Sequence, residues 1–121
     1  MTYHLIQHPT NPYLETLPGG GQIAGEQDAL DLIGACGEYG VSRLMLHAEN
    51  LSEDFYDLRS GLAGAVLLKF SNYRIKVAAV LPPERANQGR FGEMALEANR
   101  SNRGFHIFPD RPSAEAWLVQ P

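Results

Sequence analysis

Two stretches decide the fold class: Arg43-Leu44-Met45-Leu46-His47 and Ile75-Lys76-Val77-Ala78-Ala79-Val80-Leu81. Neither alternates apolar with polar residues. Leu44-Met45-Leu46 and Val77-Ala78-Ala79-Val80 are apolar on successive positions, so a strand built from either buries both of its faces. Such strands belong inside a parallel sheet, because crossover helices cover the faces of parallel strands. Helical patterns flank both stretches, and the expected class is α/β.

Working outward, Tyr3 to Gln7 and Tyr13 to Leu17 read as two short strands. Pro9 and Pro12 between them spoil a tight hairpin and place the first strand at an edge. Glu26 to Glu38 reads as a helix, with Ala29, Leu30, Ile33 and Cys36 at helical spacing. Glu26 and Asp28 suit its positive N-terminal end, and Gly40 stops it. Ser52 can cap a short turn opening with Glu53 and Asp54. A longer helix runs from about Ser60 to Phe70, on the apolar series Leu58, Leu62, Val66, Phe70. Phe91, Met94, Ala95 and Ala98 mark another helix, and Phe105 to Phe108 a strand. Ala114, Trp117 and Leu118 define a last helix, with Asp110 as its cap and Pro112 near its start. The order β-β-α-β-α-β-α-β-α predicts a mixed, mostly parallel sheet of about five strands with about four helices. Strand order does not follow from the pattern.

The chain has 121 residues, 44% hydrophobic and 20% charged, an ordinary composition for a single domain over residues 1–121. Ten basic against fourteen acidic residues leave a net charge of -4. That charge argues against broad binding to nucleic acid or anionic membranes. One cysteine, Cys36, excludes an internal disulfide and a Cys-pair zinc site, and fits a reducing compartment. The first residues lack a signal peptide's basic and apolar regions, and no run approaches the ~18 apolar residues of a membrane span. A cytoplasmic protein is expected.

The segments Glu26-Gln-Asp-Ala-Leu-Asp-Leu-Ile, Leu44-Met-Leu-His, Glu49-Asn-Leu-Ser-Glu-Asp-Phe, Asp57-Leu-Arg-Ser-Gly-Leu-Ala-Gly and Phe91-Gly-Glu-Met-Ala-Leu-Glu-Ala-Asn-Arg resemble those of the bacterial domain of unknown function 4180 family. The resemblance runs from about Ile23 to Leu118 and implies no activity, since the family has none assigned. More distantly, the element order and the closing Phe108-Pro-Asp-Arg-Pro-Ser-Ala-Glu-Ala-Trp-Leu resemble the STAS (anti-sigma-factor antagonist) fold. In antagonist members a Ser before a Gly, in an Asp-Ser-Ser-Gly-Leu run, is phosphorylated by a partner kinase. Asp57-Leu58-Arg59-Ser60-Gly61-Leu62 is similar, and the resemblance implies Ser60 as the modified residue. Two features depart from that pattern. The Asp lies one residue further away, and the Glu49 to Tyr56 segment separates the motif from its strand.

Sites in open parallel sheets form beyond the C-terminal strand ends. Three loops qualify: His47-Ala-Glu-Asn, the Pro82 to Arg90 segment, and Phe108-Pro-Asp-Arg. In the first, His47 has the chemistry of a general base or ligand, Glu49 that of its orienting carboxylate, and Asn50 a further binding group. The plainer role for His47 is to end a strand. Ser60 at a helix start can bind an anion or carry phosphate, or simply cap the helix, a role worth about 1 kcal/mol. Arg85 and Arg90, flanking Gln88-Gly89, can clamp an anion beside Ser60 or remain solvated. Glu97, Asn99, Arg100 and Asn102 have a sufficient structural account as a helix end.

Pro18-Gly19-Gly20-Gly21-Gln22-Ile23-Ala24-Gly25 is not a phosphate loop, since it lacks Gly-Lys-Ser/Thr and is followed by Glu26. Cys36 reads as core. His4, His8, His47 and His106 lack ligand spacing, so no metal and no cofactor is expected. Glu49, Glu53, Asp54 and Asp57 read as a solvated acidic surface.

With no dense catalytic cluster and no G-x-S-x-G motif, the expected function is a small non-catalytic regulatory or protein-interaction module. Leu51, Phe55, Tyr56 and Leu58 are its candidate contact for a protein partner or homodimer, or else a satellite of the core. The alternatives are a small-molecule domain for an anionic or apolar ligand, using His47, Glu49, Ser60, Arg85 and Arg90, and, last, a hydrolase-type enzyme using His47, Glu49 and Ser60.

Overall fold

Leu44, Met45, Leu46, Val77, Ala78 and Ala79 lie at the centre of the sheet, none more than 1% exposed, as their unbroken apolar pattern requires. The computed structural model describes residues 1–101 and 104–121. Asn102, read above with the helix-end cluster, and Arg103 lie outside the described residues.

Among the described residues the fold is α/β, with a five-stranded mixed sheet and six helices. The strands are β1 (Tyr3–Ile6), β2 (Tyr13–Thr16), β3 (Arg43–His47), β4 (Lys76–Val80) and β5 (Phe105–Phe108). They lie side by side in sequence order; β1 is antiparallel to β2 and the other pairs are parallel. The helices are α1 (Glu26–Tyr39), α2 (Glu53–Tyr56), α3 (Leu62–Asn72), α4 (Pro83–Ala86), α5 (Gly89–Ser101) and α6 (Arg111–Leu118). Of the two beyond the expected four, α2 is the short turn expected after Ser52, although the Ser52 side chain makes no capping bond, and α4 is a single turn opened by Pro83, too short to leave a periodic signal. The helix expected from Ser60 is likewise shorter at its start: Leu58–Ser60 is a separate 3-10 turn, and Gly61 at φ 78° breaks the path before α3.

Strands added in one direction with right-handed crossovers put their connecting helices on one face. Accordingly α1, α3 and α5 pack on one side, against Leu14, Leu44, Leu46, Val77, Ala79, Phe105 and Ile107. The opposite side, Tyr13, Met45 and Ala78, is covered by Ala114 and Leu118 of α6. In α1 the buried stripe is Ala29, Leu32, Ala35 and Cys36, so the inward face is turned towards Leu32 relative to the expected one.

Eight residues of helix do not hold together unaided, and α6 is fastened at both ends. Asp110 caps its N-terminus by accepting from the Ser113 N–H at 2.8 Å. At its C-terminal end Arg43 Nε donates to the Leu118 carbonyl at 2.8 Å and Lys76 Nζ to that of Trp117 at 2.8 Å. Both cations face the negative pole of the helix. The outer edge of β5 is closed by a side chain: Asn99 Oδ1 accepts from the Ile107 N–H at 2.7 Å, and its Nδ2 donates to the Ile107 carbonyl at 2.9 Å. Among the described residues no helix is long and apolar enough to cross a membrane.

Candidate functional site

Strand alternation puts Tyr13 and Glu15 of β2 on the α6 side of the sheet, beside His47 at the end of β3. Directly after β5, Arg111 opens α6 over the same corner. Glu15 is the hub. His47 Nε2 and Glu15 Oε2 are 2.7 Å apart, and both side chains are 14% exposed. Arg111 grips the same carboxylate in a fork, Nη2 at 2.8 Å from Oε1 and Nε at 3.0 Å from Oε2. Its Nη2 also donates to the Tyr13 hydroxyl at 2.9 Å, and that hydroxyl donates to Glu115 Oε2, one turn along α6.

The electrostatics follow from this geometry. Burial by itself would raise the Glu15 carboxyl, but hydrogen bonds from His47 and Arg111 and their charges outweigh it and bring it down to about 2. Burial and the bond to Glu115 push Tyr13 above its ordinary value. The bond to Glu15 holds Arg111 above its own. Glu15 is thus favoured as an anion shared by His47 and Arg111, and the Tyr13 hydroxyl is favoured in its protonated form.

The corner brings together one residue of the expected set, His47, and pairs it with Glu15 where Glu49 was expected. Glu49 is exposed in the 3-10 turn Ala48–Asn50. Asn50 is fully buried and saturated: Oδ1 accepts from the Thr16 hydroxyl at 2.6 Å and the His47 N–H at 3.0 Å, while Nδ2 donates to the carbonyls of Leu17 at 2.8 Å and Gly21 at 3.1 Å. It ties the Gly-rich loop to the end of β3. Ser60 is exposed; its hydroxyl donates to the Asp54 carbonyl and accepts the Leu62 N–H at 3.2 Å, a capping role. Arg85 pairs with Glu53 and lies over the Tyr56 ring, 3.8 Å from its centroid. Arg90 is exposed, in a groove shared with Arg59. Among the described residues no hydrogen bond or ion pair links His47 to Ser60, Arg85 or Arg90.

Leu51 and Phe55, candidates for a partner contact, are 2% and 0% exposed and belong to the main core. Tyr56 packs its ring 4.9 Å from that of Phe91 and donates its hydroxyl to the Ala48 carbonyl at 3.0 Å. Tyr56 and Leu58 are partly buried against the same cluster, so the four side chains join the main core rather than a separate satellite. Burial pushes the Cys36 thiol up to about 11. Among the described residues no three His, Cys, Asp or Glu side chains gather as a metal site.

Sequence reasoning passed over Glu15, Tyr13 and Arg111. The available signal was a carboxylate, Glu15, inside a short strand otherwise made of Tyr13, Leu14 and Thr16: such a charge needs a partner. Arg111 stood at the end of a loop already placed at the strand ends.

In comparison with known proteins, the family model described as "Domain of unknown function (DUF4180)" matches residues 8–118. No curated protein and no solved structure matches the chain.

Proposed function

The chain belongs to the DUF4180 family, and we propose that it works as a small non-catalytic regulatory or protein-interaction module. One observation carries this reading. The histidine–carboxylate pair at the strand ends, the natural acid–base machinery of such a fold, is locked by Arg111 into the clasp that holds α6 on the sheet. A STAS-like fold is part of the proposal, supported by the element order. So is a phosphoswitch at Ser60, supported by its exposure. A cytoplasmic setting is supported by the free, buried Cys36.

The test compares wild type with His47→Gln. The expected result is binding to a purified partner or to a second copy in both proteins, and turnover of phosphate esters, carboxylic esters or amides in neither. Turnover by wild type that disappears in a folded His47→Gln overturns the reading. So does a wild type that stays monomeric and binds no purified protein. Ser60→Asp should alter partner binding; unchanged binding removes the phosphoswitch alone.

A second reading, a small-molecule domain for an anionic ligand, is favoured by the groove of about 490 Å³ lined by Arg90, Gln88, Gly89 and Arg59, the last paired with Asp57 of the same groove at 3.3 Å. Saturable thermal stabilisation by inorganic phosphate, absent in Arg90→Ala, supports it; no shift in wild type rejects it.

A further inference from the structure

The two edges of the sheet are not equivalent. On β5 the outward backbone groups of Ile107 are both taken by Asn99, so that edge presents no template. Among the described residues no side chain bonds the outward backbone groups of β1 in the same way. The Leu17 N–H donates to the Thr2 carbonyl at 2.9 Å, which makes Thr2 and Leu17 a hydrogen-bonded pair. Antiparallel pairs alternate between bonded and non-bonded, and the register runs Tyr3 with Thr16, His4 with Glu15, Leu5 with Leu14. His4 therefore directs its N–H and C=O to β2, while Tyr3 and Leu5 direct theirs outward. An unpaired edge invites another strand unless charge, proline or a bulge blocks it. Tyr3-His4-Leu5-Ile6 contains no Lys, Arg, Asp, Glu or Pro.

We propose that β1 is a pairing surface for a second copy of this chain, the two β1 strands meeting antiparallel about a two-fold axis through His4. This rests on the interaction-module reading and names its partner. The register follows from the outward groups. An axis at His4 pairs Tyr3 of one copy with Leu5 of the other, twice, so all four outward groups of each strand find partners within β1. A closed two-fold contact demands such self-complementarity. The side chains agree with it. Tyr3 and Leu5 are only partly buried against the main core, and Tyr39, 49% exposed, meets the Tyr3 ring edge-on at 6.2 Å. A strand laid alongside would cover this apolar margin. His4 is exposed on the α6 side, opposite Glu15, and would face its own copy across the axis.

Sedimentation velocity on the purified chain over a concentration series tests the idea. Wild type should pass from monomer to dimer as concentration rises. His4→Lys sets two like charges face to face at the axis and should stay monomeric at every concentration. Leu5→Pro removes an outward N–H without touching the ladder to β2 and should do the same. His4→Gln should retain the dimer. The fluorescence of Trp117 reports whether each variant keeps the native fold. In wild type, deuterium exchange at the Tyr3 and Leu5 amides should slow as concentration rises, while exchange at Ile107 should not change.

A wild type that is monomeric throughout, with no slowing at Tyr3 and Leu5, overturns the proposal. The interaction-module reading is then judged by its own binding assay. A dimer that persists in both His4→Lys and Leu5→Pro also overturns it, by placing the contact elsewhere, and leaves the module reading standing.

Discussion

Replacing Glu15 by Gln keeps the shape of the side chain and removes the charge that Arg111 and His47 share. Glu15 has its carboxyl lowered from an ordinary 4.5 to about 2. By linkage a shift of that size is worth about 3 kcal/mol at full strength. Arg111 is 42% exposed, so solvent screening brings the figure to about 2 kcal/mol. The sign is that of a depressed carboxylate. The stabilisation is complete above about pH 4.5, where Glu15 is ionised even in the unfolded chain, and is lost as pH falls towards 2.

Urea unfolding at several pH values reads both quantities. The chain's single tryptophan, Trp117, lies in α6 and stacks on His106 at 4.4 Å, so its fluorescence follows the clasp, and circular dichroism follows the whole fold. Glu15→Gln should be about 2 kcal/mol less stable at neutral pH and should lose less stability than wild type between pH 5 and 2. A variant with wild-type stability and an unchanged slope over that range would refute the account of the clasp.

Asn50→Ala removes a buried amide that bonds four groups, and should cost about 2 kcal/mol, read as a fall in Tm, chiefly through the lost bonds to the His47 N–H and the Gly21 carbonyl; the Thr16 hydroxyl keeps the Met45 carbonyl and the Leu17 carbonyl keeps the Gly20 N–H. Cys36, its thiol raised to about 11 by burial, should resist alkylation at neutral pH in the native protein and react in urea. Fast labelling of native protein would contradict its place in the core.

The α/β class was legible because burial of both strand faces leaves an unbroken apolar run, as in Leu44-Met45-Leu46. The family was legible through long segments. Strand order was not: it is fixed by which helix face meets which strand face, and each apolar face in this chain is compatible with several neighbours. The single-turn helix α4 escaped for lack of length. At the site, His47 was found because its residue type carries chemistry on its own. Its partner was missed for the converse reason. Glu49 is close in sequence, but the 3-10 turn carries it into solvent, whereas Glu15 reaches His47 through pairing of β2 with β3, a contact that local pattern does not contain. Asn50 was placed in the right loop, but its role depends on carbonyls of Leu17 and Gly21, which also arrive from far along the chain.

The strand order bears on why α6 needs the clasp of Glu15, His47 and Arg111. Open α/β sheets form a ligand crevice where the strand order reverses and neighbouring connections leave on opposite faces. The order β1-β2-β3-β4-β5 contains no reversal. With α1, α3 and α5 together on one face, the other face depends on α6, a short helix that must be held in place. Arg43 and Lys76 do this at one end of the strands, and Glu15, through Arg111, at the other. The topology without a reversal is thus the same topology that requires the clasp. The Glu15–His47 pair is set by that geometry, since pairing of β2 with β3 brings the two side chains together beside Arg111.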